Sequence, residues 1–353
     1  MKRLYVVITI ALIACFANRS YGQSQAKEQR LFYYVNTTSA FKSFKEHIDQ
    51  ITIVSPKAYD VDAKGIVWGS VDPRVMDLAR KHDVKVMPLI KNMGFDQALL
   101  HNLLSNSAAV GRMVKSLVDL CTQNKFMGIQ FDFENLNVSD KDLYTSMCRR
   151  AAKALHEHGF ELSLAVVHRP GEIPGPTAYT AWVFENWRGG YDLKKLAGIV
   201  DFISVMTYSQ HTGLTTPGPV AGLPWVKQNI KYFLKFVPPN KLSLGIPVGS
   251  KLWYTTINGS PDDTHPNVHV TAKSLDYGGV EGLIDRYKGN VIWDDSAKVH
   301  YAVLDNGWVY EYLWIEDARS FKAKQNLVKE YNLRGFSVWV LGVEDPKIWN
   351  NLK

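Results

Sequence analysis

Short apolar runs alternate along this chain with longer stretches in which apolar residues recur every three or four positions. The runs read as strands and the stretches as amphipathic helices. From Gln29 onward the predicted strands are Leu31–Val35, Ile51–Ser55, Val84–Ile90, Phe126–Phe133, Phe160–Val167, Asp201–Tyr208, Lys241–Pro247 and Gly335–Val340. Helical periodicity covers Ser39–Asp49, a segment opening at Pro73, Phe95–Asn124 in one or two pieces, Asp140–His158, Tyr191–Ala197, part of Gly222–Phe236, and Ala318–Tyr331. Pro73 in a first turn and Gly159 after a last turn suit helix ends. Tyr59–Trp68 has a hairpin pattern, and Arg169–Pro176 is a Pro/Gly-rich loop too long for a mere connector. Eight strand–helix alternations predict an α/β fold, a (β/α)8 TIM barrel made from residues 29–250 and 313–353. The rhythm breaks over residues 251–312, rich in Gly, Asp, Thr and Tyr, which read as a small α+β insertion between strands seven and eight. Its strand-like pieces are Asn290–Trp293 and Gly307–Leu313. A doubly wound sheet is the alternative fold, but the chain has no GxGxxG or phosphate loop to support it.

The fourth predicted strand carries the first chemical signal. Phe126, Met127, Ile129, Phe131 and Phe133 form a nearly unbroken apolar run, as in a strand covered on both faces. With a side-chain period of two, Gln130, Asp132 and Glu134 all point to one side. Carboxylates are depleted in strand interiors and costly to bury unpaired. One acid at a strand end reads as a helix cap or ion-pair partner; an Asp and a Glu in one row with an amide read as acid/base apparatus, as used on glycosides.

The register Met127-Gly128-Ile129-Gln130-Phe131-Asp132-Phe133-Glu134 resembles the glycoside hydrolase family 18 signature, Asp-Gly-x-Asp-x-Asp-x-Glu. Further matches lie at other strand ends. Met206-Thr207-Tyr208 resembles the family's Met-x-Tyr-Asp, and Trp339-Val340-Leu341-Gly342 its Trp-x-Leu-Gly. Met206–His211, Pro217–Ala221, Trp225, His300-Tyr301-Ala302 and Trp314–Ser320 are similar to the spore-cortex-lytic N-acetylglucosaminidases within that family. The resemblance implies a TIM-barrel hydrolase of β-linked N-acetylglucosamine glycans, peptidoglycan or chitin-type. In that family the substrate's own 2-acetamido oxygen is the nucleophile, so no protein carboxylate attacks. Glu134 is then implied as acid and later base, Asp132 as the group that holds the acetamido N–H, and Tyr208 as a donor to the acetamido oxygen. Gln130, Met206, Trp339, Tyr33 and Asn92 are implied as substrate-binding, with Trp339 as the floor under the sugar. The chain departs from the pattern at Met127, Gln130 and Ser209, where the family has Asp. Gln130 cannot ionise, which alters proton traffic through Asp132. A non-hydrolytic carbohydrate-binding barrel is the alternative function, against which the retained Glu134 argues. A retaining glycosidase with a protein nucleophile is another.

Met1–Gly22 reads as a targeting segment: Lys2 and Arg3, an apolar run from Leu4 to Phe16, then Ser20-Tyr21-Gly22. Leu12-Ile13-Ala14-Cys15 also resembles a bacterial lipobox, which would place a lipid anchor on Cys15; both readings put the protein outside the cytoplasm. Cys121 and Cys148 then remain, with two free thiols preferred over one disulfide. Net charge is +7, and removing Lys2, Arg3 and Arg19 leaves +4. With no basic cluster interleaved with aromatics, nucleic acid is not an expected partner. No cofactor or metal is expected either; His265-x-x-x-His269 lacks a third ligand. Aromatics at 12% suit stacking on sugar faces, though core packing explains most of them.

Overall fold

The computed structural model describes residues 28–258 and 267–352. The leader Met1–Gly22, Cys15 and His265 lie outside the described residues. Eight parallel strands close into a barrel: β1 Gln29–Tyr34, β2 Ile53–Val61, β3 Leu89–Asn92, β4 Gly128–Phe131, β5 Glu161–Val167, β6 Phe202–Met206, β7 Leu242–Pro247, and an eighth strand, Gly335–Trp339. Closure is direct, because β1 pairs with β2 on one side (Leu31 opposite Ile53) and with the eighth strand on the other (Gln29 opposite Gly335). Helices surround the barrel. Several begin as their sequences dictate: Asp72 caps the helix Pro73–Lys81, and Asn106 caps Ser107–Asn124. The latter cap splits the predicted Phe95–Asn124 helix, with Gln97–Ser105 as the first piece.

Between β7 and the eighth strand, β8 Ser250–Asn258, β9 Asn267–Leu275, β10 Val291–Asp294, β11 Val299–Asp305 and β12 Tyr310–Ile315 form a separate antiparallel sheet; the eighth barrel strand is thus β13 in chain order. A helix, Tyr277–Tyr287, packs on one face of that sheet over Leu252, Ala302, Leu304, Leu313 and Ile315. No periodicity had marked it, because Gly278, Gly279 and Gly282 dilute its apolar stripe.

The barrel interior is partly polar. Gln130, Ser163, Ser204, Ser243 and Ser337 are fully buried there. Gln130 Nε2 donates to Ser163 Oγ at 2.9 Å and Ser204 Oγ at 3.2 Å, and Ser337 joins Ser204 (2.8 Å) to Ser243 (2.7 Å). Small hydroxyl residues leave room for Tyr33, Met87 and Phe202 on the same side while keeping the amide Nε2 bonded; the buried Gln130 Oε1 has no partner among the described residues. Cys121 and Cys148 are both buried free thiols. Among the described residues no helix is long and apolar enough to cross a membrane, and no group of three His, Cys, Asp or Glu could hold a metal.

Candidate active site

β4 ends at Phe131, so Asp132, Phe133 and Glu134 lie just past the strand, at the mouth of the barrel where catalytic groups of this fold are found. Their backbone is tied residue by residue. Asp132 N donates to Ile90 O (2.8 Å), and Tyr191 Oη donates to Phe133 O (2.6 Å). Asn92 Oδ1 accepts from Glu134 N and its Nδ2 donates to Glu134 O, both at 3.1 Å. Phe133 is buried against Phe131 and Tyr144. The acid-bearing segment therefore has almost no freedom to shift.

Asp132 and Glu134 line a small cavity of about 200 Å³ with Tyr33, Lys57, Leu89, Phe95, Ala165, Met206, Tyr208 and Trp339. Trp339 stacks on Tyr208 (6.2 Å between ring centres, 25° between planes) and packs against Tyr33 at 5.4 Å. Tyr208 follows β6, and its placement needs Gly245: a Cβ there would sit 2.3 Å from Val205 O and 3.1 Å from the Tyr208 ring. Glu134, Met206, Tyr208 and Trp339 also line a larger groove of about 860 Å³. Glu134 thus stands where an inner chamber meets an open groove.

Two of the predicted substrate-binding residues occupy other positions. Asn92 does not line either cavity; it is fully buried and clamps the main chain of Glu134. Gln130 lies beneath the chamber in the serine network, again away from both cavities. The alternation of strand side chains put Gln130 on the correct face, but depth along the barrel axis is not written in the period.

Electrostatics separate the two carboxyls. Asp132 is 5% exposed and its Oδ1 has no hydrogen-bond partner among the described residues. Burial pushes its pKa up to about 6, opposed by the charges of Lys57 and Lys91. Burial, reinforced by the Asp132 charge, pushes Glu134 up to about 8, opposed by Lys57. Between those values Asp132 is ionised while Glu134 keeps its proton. Burial also holds the Tyr208 phenol neutral well past the ordinary range, so its hydroxyl is a donor.

Sequence reasoning missed Lys57. Its ammonium lies over the rings of Phe95 (5.5 Å) and Trp339 (5.7 Å). A register shift in the β2–β3 ladder between Lys57 and Tyr59 accompanies its position, and no sequence pattern announces such an irregularity. Also missed was the helical stretch Ala178–Arg188, which brings Tyr179, Trp182, Trp187 and Arg188 to the groove. Trp182 is 51% exposed there. The Thr177 cap, whose side chain accepts from Thr180 N, was the available signal.

The profile of the family described as glycosyl hydrolases family 18 matches residues 13–344. An uncharacterized glycosylase, YvbX, of Bacillus subtilis is 22% identical over 358 residues, covering 100% of this chain and 98% of that protein. A cortical fragment-lytic enzyme of the same organism is 28% identical over 265 residues, 74% of this chain but only 57% of that enzyme. Among solved structures, a chitinase from Chromobacterium violaceum superposes with a TM-score of 0.79 at 24% identity, covering 92% of this chain and 98% of its own. The spore cortex-lytic enzyme SleL of Bacillus megaterium gives 0.79 at 23% identity, covering 92% of this chain and 73% of its own. These two likenesses speak for the fold.

Proposed function

Since the chain belongs to glycosyl hydrolases family 18 and is a glycoside hydrolase, we propose that it cleaves β-linked glycans containing N-acetylglucosamine, of the peptidoglycan or chitin type, by a substrate-assisted retaining mechanism. One observation carries this reading: Glu134 stands at the junction of chamber and groove, with buried Asp132, whose Oδ1 has no hydrogen-bond partner among the described residues, behind it in the chamber.

The sugar bearing the scissile bond fits the chamber over Trp339, and the leaving portion extends into the groove past Trp182 and Trp187. Glu134 gives its proton to the glycosidic oxygen as the C1–O bond breaks. The 2-acetamido carbonyl oxygen of the same sugar bonds to C1 from the opposite face, giving an oxazolinium ion. Asp132 Oδ1 accepts from the acetamido N–H and its charge stabilises the cation, while Tyr208 donates to the acetamido oxygen. Water then enters, gives a proton to the Glu134 carboxylate, and attacks C1; the oxazolinium reopens and the configuration is retained.

No carboxylate other than Asp132 and Glu134 lines the chamber among the described residues, which favours the substrate amide over a protein nucleophile on another strand. The leader reading of Met1–Gly22 places this chemistry outside the cytoplasm. The test is Glu134→Gln, which keeps shape and removes the proton. It should abolish release of reducing ends from N-acetylglucosamine oligomers with the fold unchanged by circular dichroism. Persisting activity would sink the assignment, and cleavage of de-N-acetylated oligomers at equal rate would sink the amide mechanism.

A further inference from the structure

The large groove holds two cations that the mechanism does not use. Arg188 comes from the end of the helical stretch Ala178–Arg188, and Lys251 from the start of β8 in the insertion sheet. Both are half-buried, and both line the same cavity as Glu134. Neither has a carboxylate within ion-pair distance among the described residues. Charges in such positions are ordinarily paired, because dehydration disfavours the charged form. That dehydration is felt here, since burial lowers the pKa of both groups.

Their existing contacts aim them and leave their charge unanswered. Arg188 Nη2 donates to His168 Nε2 at 2.6 Å. Burial and the neighbouring guanidinium hold His168 neutral, its pKa pushed down to about 3, so the imidazole accepts and adds no charge. Among the described residues, Lys251 Nζ hydrogen-bonds only to the main-chain oxygen of His211, at 3.4 Å. Two acids share the groove. Glu134 is neutral below about 8, and Asp276 is engaged as a helix cap, its Oδ1 accepting from Gly279 N at 2.7 Å. The groove therefore presents a surplus of positive charge beside aromatic surfaces, in the cavity to which the proposed function assigns the leaving portion of the glycan.

We infer that Arg188 and Lys251 form a subsite that binds a carboxylate carried by a sugar in the leaving portion of the substrate. This rests on the proposed function for the direction of the glycan. A guanidinium offers a planar fork to a carboxylate and an ammonium a point charge, so the pair fits an acidic substituent and has no counterpart in a neutral homopolymer. The acidic group can be the lactyl ether of a muramic acid or the carboxylate of a uronic acid; both present the same chemistry.

The experiment compares kcat/KM on four soluble substrates: N-acetylglucosamine oligomers, peptide-free glycan strands with free lactyl carboxylates, the same strands with those carboxyls reduced to alcohols, and strands of alternating N-acetylglucosamine and uronate. A carboxylated strand should exceed its neutral counterpart by about ten- to a hundredfold, mainly through KM, and rising ionic strength should shrink that ratio. Whichever carboxylated strand shows the preference identifies the source. Arg188→Gln and Lys251→Gln should each lower the ratio, and Arg188→Lys should restore part of it. Lys251→Gln leaves the Arg188–His168 contact intact, so it guards against a folding defect in the arginine variant. Equal kcat/KM on carboxylated and reduced strands, with neutral oligomers cleaved normally, overturns this inference alone. Failure to cleave any of the four overturns the proposed function together with it.

Discussion

Asn92→Ala is the sharpest probe of how the acid is held. The substitution removes three hydrogen bonds: to Glu134 N and Glu134 O at 3.1 Å each, and to Asp96 O at 3.3 Å. Asn92 is fully buried, so the Glu134 N–H and C=O lose their partners in a confined place. An orphaned buried donor or acceptor costs about 1–3 kcal/mol, which gives roughly 2–5 kcal/mol for the site as a whole. For a chain of this length 1 kcal/mol is about 1.5 °C of melting temperature, so Tm should fall by roughly 3–8 °C. The catalytic effect has its own signature. A Glu134 carboxyl free to drift by about 1 Å should lose about ten- to a hundredfold in kcat on an N-acetylglucosamine oligomer. A weakly basic aryl leaving group needs little protonation, so an aryl glycoside should lose much less. The assay is steady-state kinetics on both substrates beside a thermal melt. Equal losses on the two substrates would refute the argument, because Asn92 would then not act through the proton donor. Wild-type Tm and kcat would show that Glu134 is fixed by other contacts.

The pH dependence of kcat/KM should be bell-shaped. Asp132 must be ionised, so activity rises as pH passes about 6; Glu134 must be protonated, so activity falls as pH passes about 8. A descending limb near the ordinary carboxylate range would contradict the buried, charge-coupled pair. Lys57→Gln removes a positive charge that favours both ionised carboxylates, so both limbs should move to higher pH; limbs that stay in place would show that the ammonium does not act on them. Away from the site, Lys324 and Glu316 form a fully buried ion pair at 2.6 Å. Lys324→Met leaves a buried carboxylate uncompensated and should cost about 3–5 kcal/mol in denaturant melts, most of it recovered in the Lys324→Met/Glu316→Leu double variant. A single variant as stable as the wild type would disprove that accounting.

The barrel was legible because its signal is repeated. Each strand is a short apolar run and most helices carry a stripe, so errors at one element do not spoil the count. Boundaries moved where side chains outside the period decided them. The expected Phe126–Phe133 strand stops at Phe131, because beyond it Asn92 and Tyr191 take the main-chain hydrogen bonds that a ladder would have used. The expected Val84–Ile90 strand appears as Lys85–Val86 and Leu89–Asn92, with Pro88, which has no N–H to give the ladder, in the gap.

By itself, the sequence determined that Gln130, Asp132 and Glu134 share a face and that Tyr208 and Trp339 end strands of the same barrel. That follows from period-two alternation and from the rule that strand ends of a barrel converge. Only the tertiary structure decided which of these groups meet. It sank Gln130 into a serine network, turned Asn92 into a clamp on the acid's backbone, and brought Lys57, Arg188 and Lys251 from distant segments to the two cavities. The physical reason is that alternation fixes the direction of a side chain, whereas its depth and its company are set by barrel stagger, irregularities such as the shift at Lys57, and loops that have no period at all.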